Sequence, residues 1–283
     1  MIIWIASYPK SGNTWVRSLL SAYLYSEDGN FNFNLLKKIL KFPSKKYLKY
    51  FLEDFSNIKK VSEYWIAAQE RINLHNENKN IFLKTHSALC TLEKNAFTNK
   101  KNTKAVIYIV RDPRNVITSV GNHYSMNIEE SYNFMIDNNK ILTSDKWGGD
   151  NFGISEVLGS WSEHYKSWKN INFAPILKIK YEDLITDAEK CLIKIINFLQ
   201  NFTEIKIDNK KISKTVESCN FENLRKMEKN EGFFEAAYSE KLNKKVDFFN
   251  LGRKNNWKNL LNQKMEKKIR EKFHDEMMEL NYI

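Results

Sequence analysis

The opening of the chain constrains it most. Residues 2–6, Ile-Ile-Trp-Ile-Ala, form a short uninterrupted apolar run. It passes straight into Ser7-Tyr8-Pro9-Lys10-Ser11-Gly12-Asn13-Thr14-Trp15. From Thr14 to Tyr25 the apolar residues Trp15, Val16, Leu19, Leu20 and Tyr23 recur at helical spacing. A β-branched run ending in Pro and Gly reads as a buried strand, and the periodic stretch as an amphipathic helix. The chain therefore opens strand–loop–helix. The apolar run is too short for a signal sequence, and a cleaved leader would remove the strand itself, so the expected location is cytoplasmic.

The same alternation continues. Ile81-Phe82-Leu83, Ala105 to Val110 and Ile176 to Ile179 read as further central strands. Helical patterns cover 34–52, 61–72, 114–136, 153–169 and 186–200, and the last third is helical over 209–229 and 256–280. Strands alternating with helices predict an α/β fold, a parallel sheet covered on both faces. No repeat, linker or compositional break divides the 283 residues, so one domain over 1–283 is expected. With 42% hydrophobic and 28% charged residues, the chain is neither disordered nor a disulfide-stapled miniprotein. Cys90, Cys191 and Cys219 are scattered without CxxC spacing, which argues against a disulfide framework or zinc site. No apolar run reaches the ~20 residues of a spanning helix. The net charge of +11 suits an anionic partner but also a lysine-rich composition, so it does not choose a function.

Three local features carry chemistry. In the loop before the first helix, backbone N–H groups at a helix start, a glycine permitting close approach, Lys10, and the hydroxyls of Ser11 and Thr14 suit an anion. The same residues would serve as an ordinary turn capped by Thr14. The order differs from a Walker A loop, because Lys10 precedes the glycine. Second, Val110-Arg111-Asp112-Pro113-Arg114-Asn115-Val116-Ile117-Thr118-Ser119 follows the third strand. Arg111 should emerge at a strand's carboxyl end, where α/β sheets bind ligands. Ser119, about two helical turns on, shares a ligand with it only if the loop folds back; a plain Asp-capped helix is the alternative. Third, Leu83-Lys84-Thr85-His86 ends the second strand, and a histidine there can take a proton near neutral pH. His75 and His274 lie in polar stretches and read as surface residues. His123 and His164 lie on helical patterns and read as packing groups or as supports behind the site residues.

Taken together, Tyr8-Pro9-Lys10-Ser11-Gly12-Asn13-Thr14-Trp15 and Arg111-Asp112-Pro113-Arg114-Asn115-Val116 through Ser119 and His123-Tyr124 resemble, in the right order, the 5′-phosphosulfate loop and 3′-phosphate motif of sulfotransferases. These enzymes use 3′-phosphoadenosine 5′-phosphosulfate (PAPS). Lys84-Thr85-His86, Gly159-Ser160-Trp161, and Tyr181-Glu182-Asp183-Leu184 also resemble that family. The resemblance implies a P-loop-containing three-layer α/β/α fold and sulfuryl transfer by in-line displacement to a hydroxyl or amine acceptor: a small molecule, glycan or lipid. Adenosine 3′,5′-bisphosphate is the implied product, and no metal is implied. It makes His86 the general base, with Lys10 and Lys84 assisting. Ser11, Gly12, Asn13 and Thr14 would hold the 5′-phosphate, and Arg111 and Ser119 the 3′-phosphate. Trp15, Tyr181 and Phe221 would flank the adenine. The last motif departs from the pattern: in Asn250-Leu251-Gly252-Arg253-Lys254-Asn255-Asn256-Trp257-Lys258, the basic pair follows Gly252 and Asn255 replaces a second glycine. Arg253 or Lys254 would reach the 3′-phosphate. Residues 26–80 and 125–155 carry no motif and are where acceptor specificity is expected. Two rivals remain: a P-loop kinase or NTPase, using Asp112 as a Walker B acid, and a basic nucleic-acid binder. The misplaced lysine weighs against the first and the dispersed lysines against the second.

Overall fold

The computed structural model describes residues 1–77, 79–143, 154–239 and 243–283. Its centre is a five-stranded sheet of β1 (Ile2–Ser7), β2 (Leu40–Lys41), β3 (Ile81–Thr85), β4 (Thr103–Val110) and β5 (Ile176–Lys180). The order is β2-β3-β1-β4-β5 and every pairing is parallel. All six residues of β1 are buried, as expected of a central strand covered on both sides.

Alternation along β1 builds the two cores. Ile2, Trp4 and Ala6 face one side, where Leu83, Val106 and Tyr108 meet Trp65, Val116, Trp161 and Trp168. Ile3 and Ile5 face the other, where Phe82, Ile107 and Ile109 meet Val16, Leu19, Leu20, Leu192 and Ile196. The helices on the second face include α1 (Asn13–Tyr25); those on the first include α2 (Pro113–Tyr124) and α3 (Trp161–Lys169). The three-layer arrangement expected of the sequence is what forms. From β1 the chain runs to β3 on one side, then crosses to β4 on the other. The crevice beyond the carboxyl end of β1 is therefore a topological switch point, the place where such sheets bind ligands.

Four of the five strands of the sheet fall where the apolar runs put them, but the long helical patterns are interrupted. Residues 34–52 contain a 3-10 turn (Phe33–Lys38), strand β2 and a short helix (Lys45–Leu48), because Pro43 cannot continue a helix. The 114–136 pattern splits at Ser125, which is left-handed (φ 55), and restarts at a capping box formed by Asn127 and Glu130. Within 153–169, residue 153 lies outside the described residues, Ser155–Val157 is a strand, and the helix begins only after Ser160, whose side chain caps it. The 209–229 pattern breaks where Asn220 caps a new helix, Phe221–Glu231, and 256–280 breaks where Asn262 does the same. Among the described residues no helix is long and apolar enough to cross a membrane.

Candidate active site

Residues 8–12 turn at the end of β1. Lys10 (φ 64) and Gly12 (φ 104) both take the left-handed conformation. A Cβ at Gly12 would stand 2.5 Å from Tyr181 Cδ2, so only glycine fits. No side chain caps the start of α1, which leaves its first N–H groups available to an anion. Asn13 Nδ2 donates to the Ile5 carbonyl at 3.0 Å and to Ser7 Oγ at 3.2 Å, tying the loop back to its strand. Ser11 Oγ, Asn13 Oδ1 and Trp15 Nε1 are buried with no partner.

Lys84 and His86 lie at the end of β3, beside that loop. His86 Nδ1 donates to the Ser7 carbonyl at 2.8 Å, which leaves Nε2 as the lone-pair nitrogen. The His86 N–H donates to Glu156 Oε1 at 2.9 Å, and Glu156, fully buried, pairs with Lys41 at 2.7 Å. Behind it the buried His164 donates through Nε2 to the His86 carbonyl (3.1 Å) and accepts from Tyr108 Oη (2.9 Å). Burial, reinforced by Lys84, lowers the His86 pKa to about 4, so the ring is neutral at neutral pH. Lys84 is itself lowered to about 8 by burial, against the opposing pull of Glu235, 3.1 Å away.

Arg111 emerges at the end of β4. Its Nη1 donates to the Lys10 carbonyl at 3.0 Å and to Ser119 Oγ at 3.1 Å, so the guanidinium folds back over its own helix. It lies 4.0 Å from the centre of the Tyr181 ring, and its Nε is buried without a partner. Tyr181 in turn meets Trp15 edge-on, with ring centres 5.8 Å apart. Asn255 donates to Ser119 Oγ at 2.7 Å and to the Asn115 carbonyl at 3.0 Å, and accepts from Thr118 Oγ1 at 2.6 Å. Gly252 (φ +54) lies against the Phe221 ring, where a Cβ would come within 2.6 Å. Arg253 and Lys254 are exposed, and Arg253 donates to the Ile185 carbonyl at 3.1 Å.

One cavity of about 900 Å³ brings these groups together. Lys10, Gly12, Asn13, Thr14, Trp15, Lys84, His86, Arg111, Ser119, Tyr181, Phe221, Gly252, Arg253 and Lys254 all line it, while Ser11 is fully buried and does not. Lys10 Nζ stands 3.7 Å from the centre of the Phe248 ring, and burial followed by the Arg111 charge lowers its pKa to about 7. Lys10 and Arg111, about a hundred residues apart in sequence, thus share one concave site. Among the described residues no group of three or more His, Cys, Asp or Glu side chains could hold a metal ion.

The sequence did not single out three further lining residues, Arg17, Glu156 and Glu235, while His123, read as a packing or supporting group, and Asn255, read only as a replaced glycine, line the cavity as well. An isolated acid in an apolar setting, as in Phe233-Phe234-Glu235-Ala236-Ala237, was the available signal.

The sulfotransferase domain family model matches residues 2–281. A flavonol 3-sulfotransferase of Flaveria bidentis is 26% identical, the match covering 98% of this chain and 81% of that protein. Cytosolic sulfotransferase 13 of Arabidopsis thaliana is 25% identical over 80% of this chain, which spans 63% of its length. In fold, the chain is similar to retinol dehydratase solved with androsterone and the inactive cofactor PAP (TM-score 0.59, 18% identity, 98% of this chain and 80% of that one). It is also similar to mouse sulfotransferase SULT7A1 complexed with PAP (0.54, 22%, 97% and 83%). The kinase reading gives way, and with the family model spanning nearly every residue from the first strand to the last helix, this chain belongs to the sulfotransferase domain family.

Proposed function

We propose that the chain is a PAPS-dependent sulfotransferase that moves a sulfuryl group to a hydroxyl or amine of a small-molecule acceptor. The observation that carries this is the single cavity in which Lys10 and Arg111 are joined by a 3.0 Å hydrogen bond beside His86. The residues present fit the donor. The start of α1 carries no side-chain cap, which leaves its N–H groups to an anion, and Arg111 Nε, on a residue of the cavity wall, is a buried donor without a partner. The names of the relatives, among them flavonol, amine and luciferin sulfotransferases, support a small acceptor, and the plant cytosolic sulfotransferases support a cytoplasmic site of action. We also read residues 1–283 as one domain: the Tyr282 carbonyl and hydroxyl reach back to Arg114 and Glu182 at 2.7 and 2.9 Å.

Bound PAPS supplies an activated sulfuryl group on a nucleotide leaving group. The chain's contribution is placement and charge, as in phosphoryl transfer. The N–H groups of residues 11–14 and Lys10 hold the 5′-phosphate. Arg111 and Ser119, with Arg253 or Lys254 at the rim, hold the 3′-phosphate, which separates this donor from ATP. Trp15, Tyr181 and Phe221 frame the adenine. His86 Nε2 takes the acceptor proton as the new bond to sulfur forms, while Lys10 meets the charge collecting on the bridging oxygen as the old bond breaks. Lys84 faces the transferred group. Glu156 and His164 fix the His86 backbone and thus where its ring points.

The test is transfer of radiolabelled sulfuryl groups from PAPS across an acceptor library, paired with thermal shifts. Adenosine 3′,5′-bisphosphate without metal should stabilise the protein more than ATP with Mg²⁺. The reverse ranking would sink the assignment.

A further inference from the structure

Glu235 is held where an anion should go. Its Oε1 lies 2.7 Å from Arg17 Nη1 and 3.1 Å from Lys84 Nζ, and its Oε2 accepts from Thr14 Oγ1 at 3.3 Å. Arg17 also donates to the Ile39 carbonyl at 3.1 Å and is 2% exposed, so it is a fixed anchor. Thr14 and Lys84 are different: both line the cavity and both belong to the set assigned above to the donor's phosphosulfate. A carboxylate offers them two oxygens and a negative charge, as one edge of a phosphate or sulfuryl group would. The segment carrying it is held by Phe233, which packs against Phe33 and Phe248, while its neighbours reach the surface: Phe234 is 51% exposed, and a Cβ on Gly232 (φ +74) would meet nothing within 4 Å.

We propose that Glu235 is a built-in counter-anion of the donor site, which donor binding must displace from Thr14 and Lys84. This rests on the donor-site reading of the cavity. Two negative groups cannot share those donors in a partly desolvated cleft, because their repulsion there is only weakly screened. The carboxylate keeps two buried polar groups satisfied while the donor is absent, yields to the incoming phosphosulfate, and returns as the bisphosphate leaves. Glu235 thereby sets donor affinity without touching the reacting atoms.

Titration calorimetry of the full chain decides it. Glu235→Gln should bind adenosine 3′,5′-bisphosphate about tenfold more tightly than wild type. Adenosine 3′-monophosphate, which lacks the 5′-phosphate, should change by less than about twofold. Should the single variant fail to fold, Glu235→Gln with Arg17→Gln keeps the local charge of the wild type and should show the same selective gain. Weaker bisphosphate binding in the folded variant would make Glu235 a support for Lys84 and overturn the proposal. An equal gain for both nucleotides would reduce it to a long-range field and overturn it too. If the wild type binds no bisphosphate, the donor-site reading itself fails, and this inference with it.

Discussion

Arg111 Nη1 donates to the main-chain carbonyl of Lys10 at 3.0 Å, so the guanidinium at the end of β4 braces the left-handed residue of the loop after β1. One side chain therefore both shapes the loop and offers charge. Arg111→Ala should weaken adenosine bisphosphate by about 2–4 kcal/mol, the cost of removing a buried charged hydrogen-bond partner. Arg111→Lys should recover only part of this, because an ammonium cannot stack on Tyr181 and fork to two acceptors. Calorimetric titration checks both; tight binding by Arg111→Ala would remove the residue from the site.

His86→Gln should lower turnover about 10²–10⁴-fold while leaving bisphosphate affinity near wild type. The measurement is steady-state transfer alongside nucleotide titration, and near-normal turnover would exclude His86 as the base.

The pKa of Lys10, held at about 7 in the free protein, makes nucleotide binding sensitive to pH. A bound phosphate favours the ammonium and raises that value. Over the window above about 7 the complex then holds a proton the free protein lacks, and binding takes up to about one proton. Affinity should fall as pH climbs past 7. Calorimetry at pH 8 in buffers of different ionisation enthalpy measures the uptake, and Lys10→Met should reduce it to the share taken up by Lys84, whose own value is held at about 8.

Acid should unfold the protein through its buried imidazoles. His86 is lowered from 6.5 to about 4 and His164 to about 3, each by burial. Because the folded values lie below the unfolded ones, the stabilisation is complete above about 6.5 and is lost as pH falls through 4. Melting curves at pH 7, 5.5 and 4.5 should shift steadily downward, and a flat series would contradict the burial of these rings.

Gly12→Ala should destabilise the fold by about 1–3 kcal/mol from backbone strain alone. The contact with Tyr181 adds to this. The melting temperature should drop, and nucleotide affinity should drop with it as the loop is forced away from Tyr181.

Much of this was legible in the residues themselves. The strand–loop–helix opening follows from an apolar run, a Pro–Gly loop and a 3.6-residue period, and Lys10, His86 and Arg111 all sit where strands end. Helix boundaries were not legible, because apolar spacing runs on through Asn127 and Asn220 while the caps these residues supply stop the backbone hydrogen bonding. Glu235 and Glu156 escaped for another reason. Glu235 meets Thr14 across 221 positions, and Glu156 meets His86 across 70, so their roles exist only once the chain has folded.

Asn255 gives the site one last property. By gripping Ser119, Thr118 and Asn115 at once, it fastens the final loop to α2 before any nucleotide arrives. A loop already immobilised has surrendered its conformational entropy during folding, so the ligand need not supply it. The Gly252–Asn255 rim should therefore act as a rigid jaw, with the motion needed for ligand exchange left to the opposite side of the cleft.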